Sequence, residues 1–394
     1  MGMSEFSTIL TQNQDRRAIP DFPHTMLREI YEQPGALNRT LDLYLTDSGL
    51  NAEMARRLEG WSSAGGHIVI AASGSSRHSG LAAEIWLEEL SGFAVDVEYS
   101  CEYTLRSGFL PRDSACLVLS QSGETSDTLA ALREAKRQGR KTLAITNDAN
   151  STMAREADIS MPLAAGRELA IPATKSFTCQ LATLYILALC ESVRSGKIDA
   201  ATLAKSIADL RAQCVQIERQ IPGWQAQIAS LAKKYSAAST FLYLGSGIHY
   251  AIAREGALKL KESSYVHAEG YPAGEIKHGP NALVSDAVPL VVLATFDANH
   301  EASVKRYEKT RRLLEEMKAQ GARVIAIANA GDQEIANLVT DCVAVEKAPE
   351  YLLPLSEVVP LQLFAYFMAM ERGVDMDRPR HLSKAVVEHS TEIV

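Results

Sequence analysis

The chain has 394 residues, and its 40 Lys and Arg against 48 Asp and Glu give a formal net charge of -8 at pH 7. A chain of this length supports two packed cores, and without a basic block it is not expected to bind nucleic acid, because phosphate neutralisation needs clustered Lys and Arg. The longest apolar stretch, Leu181 to Cys190, is about half of a membrane span. Residues 1 to 22 carry no apolar signal segment, so we expect a cytoplasmic protein without a membrane partner.

The six cysteines are scattered along the chain without a paired metal-ligand spacing. This distribution favours buried, reduced thiols over a disulfide framework or a zinc site. We therefore expect neither a bound metal nor an organic cofactor, and the chemistry has to come from other side chains.

Two apolar runs, His67 to Ala72 and Phe241 to Leu244, each lead into a glycine turn and a helical pattern. They read as strand, tight turn and helix, and laying Gly74 on Gly245 suggests an internal duplication. A later block matches at an offset larger by about eleven residues, and we place these extra residues at or beside Tyr271 to Pro280. Further pairs at the first offset are Ser75 with Ser246, His78 with His249, and Glu84 with Glu255.

Further strand candidates alternate with helical patterns, which is typical of parallel sheets covered by helices. We therefore predict an α/β fold of two tandem, doubly wound parallel sheets related by duplication. The predicted organisation is an N-terminal arm at residues 1–45, a first domain at 46–210, a second domain at 211–372 and a C-terminal tail at 373–394, with helical material around Ala201 to Lys233. The strand candidates are Val95 to Tyr99, Ala115 to Leu119, Lys141 to Thr146, Pro289 to Thr295, Arg323 to Ala328 and Cys342 to Val345.

Two serine-rich loops follow strands of the first predicted domain. One is Ser73 to Ser76, and the other is Ser120 to Thr125, directly before a helical pattern. At the carboxyl ends of parallel strands such loops place hydroxyls and free backbone N–H groups at a positive helix end, which suits a phosphate. Ser, Thr and Gly are also ordinary turn and capping residues, so a purely structural role remains open for both loops.

Three charged residues, Glu255, Lys259 and Glu262, fall on one face of a predicted helix in the second domain. One interpretation is a solvated stripe with a favourable ion pair between Glu255 and Lys259. The other is a partly buried acid–base cluster, in which a shielded glutamate moves a proton between adjacent carbons.

His278 and Lys384 each have a catalytic interpretation and a purely structural one. His278 lies in a loop fixed by Gly and Pro, where it is a surface residue or, if the loop covers a sugar, the group that opens a cyclic hemiacetal. Lys384 lies in a basic tail that is either solvated or tucked against a carbonyl sugar, with which a desolvated amine forms an imine. The other histidines, among them His67, His78, His249 and His267, are interpreted as structural.

With these residues in place, the chain resembles the sugar isomerase (SIS) family, and within it the isomerase half of glutamine-dependent glucosamine-6-phosphate synthase. The likeness covers about residues 24 to 388, and it implies two SIS domains and an obligate homodimer. The segments that carry the resemblance are MLREIYEQP from Met26, LSQSGET from Leu119, ATKSFT from Ala173, EGALKLKE from Glu255, HAE from His267, GEIKHGP from Gly274, and Arg380 to Lys384.

The resemblance also implies a role for each matching position. Glu262 is the base that moves a proton between C1 and C2, and Lys259 and Glu255 support that relay. His278 opens the sugar ring and reaches across the dimer interface into the other subunit's site, and Lys384 forms the imine. The implied substrate and phosphate contacts are Ser75, Ser76, Ser120, Gln121, Ser122, Thr125 and Ser383.

Two departures from the family pattern bear on function. The chain begins Met1-Gly2-Met3-Ser4, without the nucleophilic cysteine that opens a glutaminase half, so glutamine hydrolysis is not expected. Ala173 stands where the family commonly has a serine, so one hydroxyl contact to the sugar is absent.

Deamination of glucosamine 6-phosphate to fructose 6-phosphate and ammonia is therefore the first expectation. The alternatives are synthesis of glucosamine 6-phosphate with free or partner-supplied ammonia, and isomerisation of glucose and fructose 6-phosphate alone. A non-catalytic sugar-phosphate sensor is a further alternative, although a sensor has no need of a base and an imine-forming lysine.

Overall fold

The computed structural model describes residues 22–47, 49–61, 66–111 and 113–384. Within these ranges the chain forms ten β-strands and thirteen α-helices. The strands are β1 (His67–Ala72), β2 (Ala94–Tyr99), β3 (Ala115–Ser120), β4 (Thr142–Thr146), β5 (Ile159–Pro162), β6 (Thr240–Gly245), β7 (His267–Pro272), β8 (Leu290–Leu293), β9 (Val324–Asn329) and β10 (Asp341–Val345). The helices are α1 (Thr25–Tyr31), α2 (Gln33–Tyr44), α3 (Ala52–Arg57), α4 (Gly74–Trp86), α5 (Ser100–Arg106), α6 (Ser126–Arg137), α7 (Thr152–Glu156), α8 (Lys175–Arg194), α9 (Ala200–Tyr235), α10 (Ile248–Ser264), α11 (Glu301–Ala319), α12 (Gln333–Leu338) and α13 (Leu353–Glu371).

Each domain is built on one five-stranded parallel sheet. The strand order is β2-β1-β3-β4-β5 in the first sheet and β10-β9-β8-β6-β7 in the second. Counted from the other edge, the second order repeats the first, with β6 in the place of β1 and β8 in the place of β3. The predicted α/β fold of two doubly wound parallel sheets related by duplication is confirmed.

The interior strands are buried along all of their length or all but the first residue, because helices cover both faces of each sheet. Every residue of β3, β4 and β9 is buried. Continuous apolar runs of this kind, without alternation, are typical of parallel sheets. All six strand candidates coincide with strands of the structure.

Two edge strands and the position of the extra residues differ from the expectation. β5 and β7 are absent from the predicted set because their sequences, ISMP and HAEGYP, contain no run of apolar residues. The placement of the extra residues at Tyr271 to Pro280 is wrong. Helix α6 has 12 residues and its counterpart α11 has 19, so most of the additional length follows the third strand of the second sheet.

Helices join the two sheets into one core. α4, which follows β1, packs on α10, which follows β6, and α13 packs against both α9 and α10. The predicted helical connection is a single helix, α9, of 36 residues, and the predicted boundary at residue 210 lies inside it. Helices α1 and α2 contribute buried residues such as Met26 and Leu37 to the main core. The four domain limits proposed from the sequence stay a prediction.

Two apolar segments in the described part of the chain are long enough to cross a membrane, Lys175–Arg194 and Glu350–Glu371. In each of them 94% of the apolar window is buried inside the protein. We therefore interpret both as core helices.

Gly256 lies in α10 at its contact with β6 and α13. A Cβ atom at this position would come within 2.7 Å of Leu361 Cδ1 and 2.8 Å of the Tyr243 ring. Gly256→Ala therefore overpacks the core, and we expect the free energy of unfolding to fall by roughly 1 to 3 kcal/mol. This loss exceeds the gain in helix propensity, which is about 1 kcal/mol at most. Urea unfolding followed by circular dichroism measures the change.

Gly223→Ala is the matched control. Gly223 also lies inside a helix, α9, but a Cβ there would meet no atom within 4 Å. This substitution should raise the free energy of unfolding by roughly 0.5 to 1 kcal/mol. Equal effects of the two substitutions would contradict the packing of α10 described above.

Candidate active site

The two serine-rich loops lie side by side at the carboxyl edge of the first sheet. β1 and β3 are neighbours, and Ala72 pairs with Leu119 just before the loops begin. From β1 the chain runs to β2 on one side of the sheet and then to β3 on the other side. The crevice between β1 and β3 is therefore a topological switch point, where open α/β sheets bind their ligands.

Hydrogen bonds between its own groups shape the loop from Ser120 to Thr125. Ser120 Oγ lies 3.0 Å from Thr125 Oγ1 and accepts a hydrogen bond from the Gly123 amide at 3.1 Å. Gly123 has a φ of +67°, and a Cβ there would overlap the hydroxyl of Ser151. Both observations make glycine the residue that fits this turn.

The helices behind the two loops have open amino ends. Neither the Ser73 side chain, before α4, nor the Thr125 side chain, before α6, caps its helix. By contrast, Asn51, Ser151 and Asp199 cap α3, α7 and α9 with side-chain oxygens. The first-turn N–H groups of α4 and α6 therefore remain available to an anion, and the positive end of each helix dipole favours one.

Lys259 lies fully buried between two glutamates of its own helix, α10. Its Nζ donates a hydrogen bond to Glu262 Oε2 at 2.6 Å and lies 3.4 Å from Glu255 Oε1. A second hydrogen bond from Lys259 Nζ, to Ser75 Oγ at 3.0 Å, connects α10 to the first domain. The solvated-stripe interpretation fails for Glu255 and Lys259, because both are buried. Glu255, Lys259 and Glu262 are called the acid–base cluster below.

The electrostatics of the acid–base cluster keep its buried members charged. Burial alone would raise the pKa of Glu255, but Lys259 and His78 outweigh it and hold that pKa below its ordinary value. Burial alone would lower the pKa of Lys259, but Glu255 and Glu262 outweigh it and raise that pKa. The ammonium of Lys259 is thus a fixed positive charge beside Glu262.

His78 supports this arrangement from the first domain. Its Nδ1 lies 2.8 Å from Glu255 Oε2. Burial lowers the pKa of His78, although the hydrogen bond to Glu255 opposes that shift. His78 therefore has a structural role, as expected: it positions Glu255. The Glu255 side chain is closed to solvent. Of the two glutamates only Glu262, whose side chain is 22% exposed, is accessible to a ligand.

Lys384 is tucked against the first domain. Its Nζ donates hydrogen bonds to Glu168 Oε2 at 2.7 Å and to the Ala170 carbonyl at 2.6 Å. Burial alone would raise the pKa of Glu168, but Lys384 outweighs it and lowers that pKa. Glu168 also contributes to the raised pKa of Lys259. The Lys384–Glu168 pair therefore lies within electrostatic range of the acid–base cluster.

Glu168 and Glu29, the glutamate of α1, support the candidate site, and the sequence-based prediction missed both. Glu29 accepts hydrogen bonds from the amides of Leu169 and Ala170 at 2.5 and 3.1 Å. Burial and the charge of Glu168 raise the pKa of Glu29 to about 7. The segment from Met26 thus braces the loop that holds Lys384. Acidic residues within apolar surroundings were the one available signal for this role.

The remaining predicted site residues occupy different surroundings. Ser76 is buried and its Oγ accepts a hydrogen bond from Gln180 Nε2 at 2.9 Å. The backbone carbonyl of Gln121 accepts a hydrogen bond from the Asn147 amide at 3.1 Å. His278 is exposed at the end of a short 3₁₀ helix, Ala273–His278, and no contact in the described residues joins it to the acid–base cluster. Ser122 lies in the loop, with its Oγ accepting from the Glu124 amide, and Ser383 precedes Lys384 in the tail.

Comparisons with known proteins show which family the chain is similar to. The family model described as SIS domain matches residues 62–190 and 234–372. Glutamine–fructose-6-phosphate aminotransferase (isomerizing) of Thermus thermophilus is 39% identical over 365 residues, which are 93% of this chain and 59% of that protein. The protein of the same name from Clostridium tetani is 34% identical over 391 residues, which are 96% of this chain and 61% of that protein. The chain thus spans about three fifths of the length of these curated relatives.

Solved structures of related proteins have the same fold as this chain. The C-terminal domain of glucosamine-fructose-6-phosphate aminotransferase from Francisella tularensis has a TM-score of 0.84 and 34% identity, and the match covers 91% of this chain and 99% of that domain. Glucosamine-6-phosphate deaminase from Thermotoga maritima has a TM-score of 0.69 and 22% identity, covering 93% of this chain and 100% of that one. The second likeness supports the fold alone.

Lys259→Met tests the charge balance of the cluster. The substitution leaves Glu255 buried without its cation, and breaking a buried pair in this way costs roughly 3 to 5 kcal/mol of unfolding free energy. Without Lys259, burial raises the pKa of Glu255, so the charged form is penalised at neutral pH. The loss should shrink as the pH falls toward the ordinary glutamate pKa of 4.5, where protonation removes the penalty.

Urea unfolding of wild type and Lys259→Met between pH 5 and pH 8 measures this dependence. Lys261→Met is the control, since Lys261 lies in the same helix but is exposed. A loss for Lys259→Met that stays constant with pH, or that equals the loss for Lys261→Met, would contradict the buried charge pair.

Proposed function

Because this chain belongs to the SIS domain family and is homologous to the isomerase domain of glutamine–fructose-6-phosphate aminotransferase, we propose that it is a phosphosugar isomerase acting on glucosamine 6-phosphate and fructose 6-phosphate. Its reaction in this proposal is the deamination of glucosamine 6-phosphate. The observation that carries the proposal is the buried Lys259, which holds an accessible Glu262 beside the first-domain switch point.

The phosphate of the substrate binds between the two serine-rich loops in this proposal. The hydroxyls of Ser120, Ser122 and Thr125 and the first-turn N–H groups of α4 and α6 supply donors, and charge-assisted hydrogen bonds to a phosphate are strong. Ser75 and Ser76, in the first turn of α4, border the same crevice from the other side. Gln121 and Ser383 are the remaining proposed contacts to the sugar phosphate.

Glu262 then transfers the proton between the first two carbons of the open sugar. It removes the proton from C2 and returns it to C1, which converts the 2-amino aldose into the 2-imine of the ketose. Lys259 keeps Glu262 oriented and supplies a fixed positive charge next to the developing negative charge on the substrate. Glu255, itself held by His78, keeps Lys259 in place.

Lys384 releases the ammonia in this scheme. Its amine adds to C2 and displaces ammonia, so that the substrate is held as an imine of the lysine. Water hydrolyses this imine to fructose 6-phosphate and free Lys384. The net reaction consumes one glucosamine 6-phosphate and one water and yields one fructose 6-phosphate and one ammonia. Lys384 leaves its hydrogen bond with Glu168 when it reacts.

The buried cysteines offer no nucleophile for the release of ammonia from glutamine. Release of ammonia from glutamine requires a thiolate nucleophile or a similar group. Burial raises the pKa of five of the six cysteines, which keeps them as unreactive thiols: Cys116, Cys179, Cys190, Cys214 and Cys342. In an assay mixture without added ammonia, mass action favours the reaction that produces ammonia.

An assay in both directions tests the proposed reaction. The protein is incubated with glucosamine 6-phosphate, with fructose 6-phosphate plus ammonium, and with fructose 6-phosphate alone, and ammonia and the three hexose 6-phosphates are measured. We expect ammonia and fructose 6-phosphate in equal amounts from the first mixture. Formation of glucose 6-phosphate from the third mixture, without ammonia release from the first, would replace deamination by simple isomerisation. No turnover in any mixture would favour the sugar-phosphate sensor.

Glu262→Gln tests the proton-transfer step. Glutamine keeps the shape of the side chain but cannot accept the proton, so we expect turnover to fall by roughly 10² to 10⁴ while the affinity for the sugar phosphate changes little. Glu218→Gln, an exposed position on α9, is the control and should keep wild-type turnover. Turnover of Glu262→Gln within a few-fold of wild type would remove Glu262 from the mechanism.

The proposal includes a homodimer in which His278 opens the sugar ring at the partner's site. The exposure of His278 in the isolated chain is compatible with such a role. Mixing the inactive variants His278→Ala and Glu262→Gln under subunit exchange forms hybrids in which one site carries both lesions and the other carries neither. Because about half of the dimers are hybrids with one intact site of two, about a quarter of wild-type turnover should return.

Native mass spectrometry confirms the exchange in this mixture, and each variant alone is the control. Exchange without recovered turnover would show that His278 serves its own chain or no site at all. A monomeric protein with full turnover would also overturn the shared-site proposal.

A further inference from the structure

A cavity of about 840 Å³ lies at the carboxyl edge of the second sheet. Its volume lies within the range of about 300 to 1,000 Å³ that is usual for small-molecule sites. Ser246 and Gly247, which follow β6, and His300, which follows β8, line it. None of the residues proposed for catalysis lines this cavity.

The cavity occupies the switch point of the second domain. β6 and β8 correspond to β1 and β3. From β6 the chain runs to β7 on one side of the sheet and then to β8 on the other side. Ser246 and Gly247 directly follow β6, as Ser73 and Gly74 directly follow β1, and they lie at the amino end of the long helix α10. The N-cap residue is Gly247, with a φ of +58°. Because glycine has no side chain, the amino end of this helix has no side-chain cap from that residue. The duplication therefore repeats the ligand-binding crevice as well as the sheet.

Arg306 provides a second, independent observation. Its side chain is only 9% exposed, it lines the cavity, and its Cδ lies 4.0 Å from the point that a Cβ of Gly247 would occupy. Glu350 and Ser303 bind its other nitrogens, but Nη1 has no hydrogen-bond partner among the residues described. A buried guanidinium nitrogen without an acceptor is costly, and an anion in the cavity would supply that acceptor.

The cavity wall carries additional positive charge. Lys309 and Arg312, both on α11, line the cavity and have no ion-pair partner in the described part of the chain. Of the acidic residues on the same wall, Glu316 and Glu350 are paired with Lys277 and Arg306 respectively, and Glu89 accepts a hydrogen bond from the Tyr351 hydroxyl at 2.7 Å. Lys309 and Arg312 outnumber Glu89, so the balance of charge without an ion-pair partner on this wall is positive, which favours an anionic ligand.

We propose that this cavity is a second ligand site, which binds a phosphorylated small molecule of the size of a sugar phosphate. The phosphate lies between the amino end of α10 and Arg306, and Lys309 and Arg312 contact the outer part of the ligand. Gly274 and Lys277, from the segment that carries His278, also line the cavity, so an occupied site contacts that segment directly.

Titration with fructose 6-phosphate, followed by ³¹P NMR on the whole protein, tests the proposal. We expect two classes of site per chain in the wild type. Ser122→Ala combined with Thr125→Ala removes donors of the first crevice and should weaken only the first class, by at least about tenfold. Lys309→Ala combined with Arg312→Ala should weaken only the second class by a similar factor, and both positions are exposed, so the fold is not at risk.

Lys205→Ala combined with Arg219→Ala is the matched control, since it removes the same two charges from exposed positions on α9 and should leave both classes intact. A single class of site in the wild type would overturn the proposal. So would a second class that survives Lys309→Ala with Arg312→Ala unchanged. Glu262→Gln should retain both classes, so the count of sites does not depend on whether the proposed deamination occurs.

Discussion

The arrangement of the whole site depends on one buried charge, the ammonium of Lys259. This ammonium is desolvated, so it is stable only because Glu255 and Glu262 surround it, and Glu255 is in turn held by His78. The hydrogen bond from Lys259 to Ser75 fixes the second domain's helix against the first domain's loop. The contacts of Lys259 therefore do two things at once: they neutralise charge within the core, and they hold the two domains against each other. A glutamate placed at the mouth of this cluster, with a fixed cation behind it, is oriented for proton transfer without reorganisation.

Duplication of one sheet has produced two crevices with different chemistry. In the first domain the switch point is lined by hydroxyls and backbone N–H groups, and the side chains that we propose to react come from the second domain and from the tail. In the second domain the same topological position is lined by arginine and lysine, and the buried residues beside it are His249, Glu350 and Glu357. The strand-turn-helix unit supplies only an open helix end in each domain. The side chains that distinguish the two crevices come from neighbouring elements.

The amino-acid pattern predicts the interior of each sheet well and its edges poorly. β3 and β9 are continuous apolar runs and are found at once, whereas the edge strand β7 is half solvated and has no such run. The helix face of Glu255, Lys259 and Glu262 follows from local periodicity, but its burial depends on packing against α4. The partner of Lys384 is 216 residues away in the sequence, and that of Lys259 in the first domain is 184 away. Such contacts are set by the tertiary fold, so beyond an acidic residue within apolar surroundings the sequence carries no local signal for residues like Glu168.

The central claim is that the tail lysine and the acid–base cluster act on one sugar phosphate. Borohydride added to the protein with fructose 6-phosphate reduces an imine to a stable secondary amine, and peptide mass spectrometry then locates the attachment. We expect a hexitol phosphate on Lys384 in the wild type, and no attachment at this position in Lys384→Arg. Attachment to a different lysine, or complete absence of the adduct in a protein that turns over its substrate, would contradict the claim.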